Sequence, residues 1–262
     1  MRLVFEKYQG TGNDFILIDN RQDIFKKDAR FIAKLCNRNY GIGADGLILL
    51  EESTNSDFHM NFYNPDGSHA GMCGNGARCI TSFARRLGII SNKASFTAGD
   101  GLHEAAILEM RDSDDTIRIS LKDPDIKKND TGNWVIDTGT PHVILFPEKQ
   151  QRLDELFKTA VEIRYSEQYA ADGINVDFVW MKDDHILVST YERGVENFTL
   201  SCGTGVTASA IAACLSGFTI EPVKVVTPGG TLYVGFSIDG KHFRNIWLQG
   251  NTTKVFAGTI EI

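Results

Sequence analysis

The sequence predicts an α/β protein of two similar halves, on three observations. The element Cys73-Gly74-Asn75-Gly76-Ala77 recurs as Cys202-Gly203-Thr204-Gly205-Val206, each time after a strand-and-turn region and each time opening a helical stretch. The spacing repeats as well: 61 residues separate Gly12 from Cys73 (73 − 12) and 63 separate Gly139 from Cys202 (202 − 139). Strand and helix patterns follow one another in the same order in both stretches, the signature of an internal duplication. The repeat sets the boundary near residue 118. It predicts a first half over 1–117 with a returning C-terminal strand at about 249–262, and a second half over 118–248.

In chain order, Arg2 to Gln9 and Phe15 to Asp19 read as strands around a glycine-rich turn. Asp28 to Arg38 reads as a helix with Phe31, Ile32 and Leu35 on one face. Strands are predicted at Leu47–Glu51 and Phe58–Tyr63, and Asn64-Pro65-Asp66-Gly67 is strong turn chemistry. Gly74 to Leu87 reads as a helix stopped by Gly88, and strands dominate from there to Phe146. The second half repeats the grammar with a turn at 138–141, a helix near Arg152 to Val161, and strands near Val176–Met181 and Ile186–Tyr191. A helix from Cys202 through Leu215 and short β runs complete it.

Apolar and charged fractions of 42% and 23% are those of an ordinary globular chain, which rules out a disordered or fibrous reading. A formal charge of −7 argues against nucleic acid or anionic membrane as partner, since both require clustered Lys and Arg. The N-terminal run carries Glu6 and Lys7 and no apolar signal core, and the most apolar helical stretch, Ala208 to Leu215, is far short of a membrane span, so a cytoplasmic location is expected. Five cysteines, an odd number without a CxxC pair, are expected to be free thiols. The six histidines show no HxxxH spacing, so no metal site is expected.

Two CGxG elements at helix starts offer a thiol beside unsatisfied backbone N–H groups, with glycines that let a ligand approach the chain. A helix N-terminus favours negative charge by only about 0.3–2 kcal/mol, so activating both thiols needs other helpers. Cys36, Cys79 and Cys214 lie inside predicted helices and are expected in the core. Gly203 to Ala208 also matches G-x-G-x-x-A, with Glu221 further on, but the β runs that follow are wrong for a dinucleotide fold. Gly41 to Gly46 leads into a strand and reads as a tight substrate-facing loop. No P-loop and no G-x-S-x-G element occurs. Asn13, Asn64, Asn175 and the pair Glu192-Arg193 supply amide and ionic partners suited to a zwitterion.

These residues resemble the diaminopimelate epimerase family: GTGNDF at 10–15, GIGADG at 41–46, NPDGSHAGMCGNGARC at 64–79, TPH at 140–142, and YERG with CGTG over 191–205. The resemblance implies halves in which a mostly antiparallel or mixed sheet wraps a central helix, with the active site in the cleft between them. By the same resemblance Cys73 and Cys202 are the catalytic pair, and Asn13, Asn64, Gly74, Asn75, Asn175, Glu192, Arg193, Gly203 and Thr204 contact substrate. His142 and Glu192 match positions that adjust the cysteines, and Arg193 pairs with a carboxylate. The implied activity interconverts LL- and meso-diaminopimelate without a cofactor, in a homodimer, for lysine and cell-wall synthesis. Gly46 and Thr140 depart from the family pattern, as does the 194–201 loop, one residue longer than usual. A two-cysteine racemase acting on histidine or a proline derivative is the alternative, followed by a non-catalytic amino-acid-binding relative.

Overall fold

A computed structural model describes residues 2–149, 151–218, 220–240 and 242–261. The chain divides into two units, Met1–Ser120 with Gln249–Ile262, and Leu121–Leu248. Unit 1 contains β1 (Arg2–Gly10), β2 (Asn13–Asp19), α1 (Ala29–Cys36), β3 (Gly46–Glu51), β4 (Phe58–Tyr63), β5 (His69–Ala70), α2 (Gly74–Arg86), β6 (Lys93–Ala98), β7 (Gly101–Met110) and β8 (Asp114–Ser120). Unit 2 contains β9 (Asp125–Lys128), β10 (Trp134–Asp137), β11 (Pro141–Leu145), α3 (Leu153–Arg164), β12 (Asn175–Met181), β13 (Ile186–Glu192), β14 (Asn197–Phe198), α4 (Gly203–Leu215), β15 (Val223–Thr227) and β16 (Gly230–Asp239). The last strand, β17 (His242–Glu261), begins in unit 2 and ends in unit 1.

In unit 1 the strands close a ring. β1 pairs with β2, β2 runs parallel to β3, β3 pairs with β4, β4 runs parallel to β6, and β6, β7 and β8 follow as antiparallel neighbours. β17 joins β8 to β1, with Leu3 opposite Ile260. Helix α2 lies inside this barrel against β1, β2, β3, β7 and β8, and every residue from Gly74 to Ala84 is buried. Helix α1 covers the outside: Ile32 and Leu35 pack with Ile16, Ile18, Leu47 and Leu49. Because β2 is covered on both faces, its Phe15-Ile16-Leu17-Ile18 run reads as continuously apolar and not as an alternation.

Unit 2 repeats the plan. β10 and β11 are antiparallel, β11 runs parallel to β12, β12 pairs with β13, β13 runs parallel to β15, and β15 pairs with β16. Helix α4 packs on β10 through β13, β15 and β16, while α3 covers the outer face through Leu156 and Ala160, against Val143, Val176 and Phe178. The expected sheet around a central helix is thus present in each unit. No helix among the described residues is long and apolar enough to cross a membrane.

Several element ends differ from expectation. Asp28 is the N-cap of α1 and not its first residue, accepting from the Phe31 N–H at 2.8 Å. α3 runs three residues beyond Val161, to Arg164. The expected short terminal runs are in fact β15, β16 and the 20-residue β17, which continues through Asn245 and Gly250. Cys36 and Cys79 are buried as expected, but Cys214 is only half-buried, because it sits in the last turn of α4 beside exposed Leu215. Burial pushes the Cys36 and Cys79 thiols up to about 12 and the Cys214 thiol upward.

Candidate active site

Cys73 and Cys202 occupy the same place in their units, the N-cap of the buried central helix. Their backbones are extended, with φ −135° and ψ 122° at Cys73 and φ −113° and ψ 115° at Cys202. The Cys73 carbonyl accepts from Ala77 N–H at 2.7 Å and that of Cys202 from Val206 N–H at 2.9 Å. Neither cysteine side chain caps its helix, and neither first turn holds an acidic residue. The positive end of each helix is therefore uncompensated by a fixed carboxylate there, which suits an anionic ligand group or a thiolate.

Around Cys73 the partners are amides. The Cys73 thiol approaches Asn13 Oδ1 at 3.7 Å, Asn75 Nδ2 donates to the same oxygen at 3.4 Å, and Asn13 Nδ2 donates to Asp45 Oδ2 at 2.9 Å. The Asp45 carboxylate, an obligate acceptor, fixes which end of the Asn13 amide faces the sulfur. Asp45 is held in turn by Arg38, which also binds Asp14; Lys7 bonds Asp14 at 2.7 Å and donates to the Gly43 carbonyl. Burial pushes the Asp14 carboxyl up, but hydrogen bonds from Arg38 and Lys7 outweigh it and hold the group well below the usual carboxylate range. The glycine-rich segment 41–46 thereby anchors Asn13. Asn64 sits in the turn after β4, bonding Ser68 through its side chain at 3.1 Å and through its backbone N–H at 2.9 Å. No described contact joins it to Asn13 or Cys73.

Around Cys202 the partners are hydroxyls and an imidazole. Cys202 Sγ lies 3.3 Å from Thr204 Oγ1, which is 2.9 Å from His142 Nε2 and 3.0 Å from Thr140 Oγ1. His142 Nδ1 meets Asp177 Oδ2 at 2.6 Å, with both side chains wholly buried. Asn175 Nδ2 reaches Thr140 Oγ1 and the Pro141 carbonyl, and Asn175 Oδ1 accepts from the Arg193 backbone N–H at 2.8 Å. Burial alone would lower the basicity of His142, but the Asp177 charge and hydrogen bond, aided by Cys202, lift it to about 10. The strand period explains the inward cluster: Val143, Val176 and Phe178 face α3, so His142, Asn175 and Asp177 must face α4.

Unit 2 thus brings together Cys202, Gly203, Thr204, His142, Asn175 and Arg193, and unit 1 brings together Cys73, Gly74, Asn75 and Asn13. Glu192, at the end of β13, is half-buried, and its carbonyl accepts from Glu196 N–H at 2.8 Å. The Arg193 guanidinium donates to the Asp172 carbonyl. Thr140, a departure from the family pattern, still binds both His142 and Thr204. Sequence reasoning missed Asp177 and Asp45, which hold His142 and Asn13. A charged residue in the apolar run Val176-Asp177-Phe178-Val179 was the available signal for the first.

The family model described as diaminopimelate epimerase matches residues 5–117 and 134–255. The chain belongs to the diaminopimelate epimerase family. A diaminopimelate epimerase of Flavobacterium psychrophilum is 46% identical over 97% of this chain and 98% of that protein, and one of Chlorobaculum tepidum is 39% identical over 97% and 99%. Among solved structures, a Bacillus anthracis phenazine biosynthesis protein of the PhzF family matches with a TM-score of 0.74 at 14% identity, covering all of both chains. A probable proline racemase from Agrobacterium radiobacter matches with 0.72 at 14% identity, over 99% of this chain and 93% of that one. At such identities these two share the fold with the present family member, and the fold carries several reactions.

Proposed function

We propose that the chain inverts one α-carbon of diaminopimelate, interconverting the LL and meso isomers with Cys73 and Cys202 as a thiolate and thiol pair. The observation that carries this reading is the duplicated cysteine at an uncapped, buried helix start, within a chain that belongs to this family. One thiolate takes the α-proton and becomes a thiol; the other thiol gives its proton to the opposite face of the same carbon and becomes a thiolate. Running the reaction backwards exchanges the roles. First-turn N–H groups of α2 and α4 hold the α-carboxylate and its enolate-like charge, each well-placed donor contributing roughly 3–4 kcal/mol. Gly74, Asn75, Gly203 and Thr204 supply those turns, and Asn13, Asn64, Asn175 and Glu192 recognise the polar groups of the substrate. Arg193 pairs with a carboxylate, while His142 and Glu192 adjust the thiols.

The scheme calls on neither pyridoxal phosphate nor metal. Family membership supports a role in lysine and peptidoglycan precursor synthesis, and the proposal includes a cytoplasmic location and a homodimer. Proton NMR in D₂O with reductant tests it, offering LL-diaminopimelate beside histidine and proline. Exchange of the α-proton with inversion of diaminopimelate alone is expected. Turnover of histidine or proline, with diaminopimelate untouched, would retain the two-thiol chemistry and overturn the substrate.

A further inference from the structure

Helix α2 carries a guanidinium into the interior of unit 1. Arg78 is 0% exposed, and its hydrogen bonds go to neutral groups: Nη2 to Asn75 Oδ1 at 2.9 Å and Thr11 Oγ1 at 3.1 Å, and Nη1 to the Gly74 carbonyl at 3.3 Å. Its Nε is buried without a partner. Among the described residues no carboxylate forms an ion pair with it. The charged groups on the surrounding strands are engaged elsewhere: Glu6 with Lys254, Asp14 with Lys7 and Arg38, Glu51 with Lys27, His103 with Asp100, and Asp115 with Ser82 and Arg86. A buried cation with only neutral partners is costly, and the cost falls when an anion stands near.

Through the Gly74 carbonyl and Asn75 the guanidinium joins the network at the helix start, where Asn75 Nδ2 and the Cys73 thiol meet the same Asn13 Oδ1, and the sulfurs that bear on its charge are those of Cys79 and Cys73. Burial keeps Cys79 a thiol, and its sulfur accepts from Thr252 Oγ1 at 3.1 Å. Cys73, half-buried at the helix start, is the remaining candidate. The backbone makes room for the arrangement: a Cβ on Gly10 would stand 3.3 Å from Arg78 Nη2 and 3.2 Å from the Asn75 carbonyl. The bare glycine lets the guanidinium lie against the first turn of α2.

We propose that Arg78 is a positioning residue for the reaction, its buried guanidinium serving as the standing counter-charge of the Cys73 thiolate. The inference rests on the two-thiol reading above. Asn13 Oδ1, locked by Asp45, accepts from the thiol form, whereas Arg78 favours the thiolate. A cysteine that releases a proton in one direction and takes one in the other needs both forms within reach, and the Asn13 contact and the Arg78 charge pull in opposite directions.

The test is the pH profile of Cys73 alkylation by iodoacetamide, read at that residue by mass spectrometry, without substrate, in the full chain and in Arg78→Gln and Arg78→Lys. The midpoint in Arg78→Gln is expected to rise by about one pH unit or more, a tenfold or larger loss of reactivity at neutral pH, and Arg78→Lys is expected to restore most of it. Coincident profiles for Arg78→Gln and the unaltered protein would overturn the proposal, as would equal shifts in both variants, which would mark Arg78 as a packing element only. Should Arg78→Gln fail to fold, the stability difference between the unaltered protein and Cys73→Ser supplies the readout. It should grow as pH rises from about 6 to 8.5, and a flat difference would overturn the proposal. Because alkylation needs no turnover, an inactive protein with the expected profile would sink the epimerase reading and leave Arg78 in place.

Discussion

Behind the first turn of α2, unit 1 places Ile48 and Met60; behind the first turn of α4, unit 2 places Asp177, His142 and Thr190. The backbones correspond, with β2 parallel to β3 as β11 is to β12, and a helix opening on Cys-Gly-x-Gly in each. The electrostatics do not correspond. Unit 1 sets its cysteine against amides, with a guanidinium that stays charged at any working pH bonded to one of them, Asn75, whereas unit 2 couples its cysteine through Thr204 to a titratable imidazole. A repeated frame therefore presents two thiols in chemically distinct settings, which suits the two roles that the proposed inversion gives them.

The comparison breaks most sharply at the sulfurs. Cys73→Ala and Cys202→Ala are each expected to lower kcat for stereoinversion by about 10³-fold or more, since each removes one of the two proton carriers of the proposed scheme. Near-normal inversion in either variant would show that one thiol suffices.

A smaller but unit-specific effect is expected at Asp177. The folded His142 titrates near 10, above its ordinary value of 6.5. Its stabilising contribution is therefore fully present below about pH 6.5 and lost as pH rises through 10. Asp177→Asn, which leaves a buried imidazole without its anion, should cost on the order of 3–5 kcal/mol at pH 6 and progressively less toward pH 10. Denaturant unfolding at both pH values reads this directly. A cost independent of pH would mean that His142 is neutral in the folded state and that the two units differ less than proposed.

The duplication and both cysteine-bearing helices were legible because CGxG at matched spacing encodes backbone requirements, and the strands because both faces of β2 and β3 are covered and largely apolar. The partners of the cysteines were less legible. Arg78 lies five residues after Cys73, where a charged residue in a helix normally faces water, and only the barrel around α2 reveals that it is enclosed. Asp177 sits 35 residues from His142, and their meeting depends on the parallel register that puts His142 beside Asn175. Strand alternation gives the face of each residue; it does not give the neighbour across the sheet.

The smallest expected effect is also the most local measure of the difference between units. A Cβ at Gly205 would fall 2.6 Å from Asp177 Oδ1 and 2.9 Å from both His142 Cε1 and Thr190 Oγ1, three groups held by hydrogen bonds to one another. A Cβ at Gly76 would fall 2.8 Å from Ile48 Cδ1 and 3.1 Å from Met60 Cε, the far ends of flexible side chains. Gly→Ala inside a helix gains roughly 0.5–1 kcal/mol from reduced chain entropy, and overpacking costs roughly 1–3 kcal/mol. For Gly76→Ala the terms nearly cancel, leaving stability within about 1 kcal/mol of the unaltered protein. For Gly205→Ala the rigid polar cluster cannot retreat without stretching the Asp177–His142 contact, so a net loss of about 2 kcal/mol is expected. Thermal unfolding of the two variants side by side decides it: equal shifts would mean that the polar cluster behind α4 yields as readily as the apolar contacts behind α2.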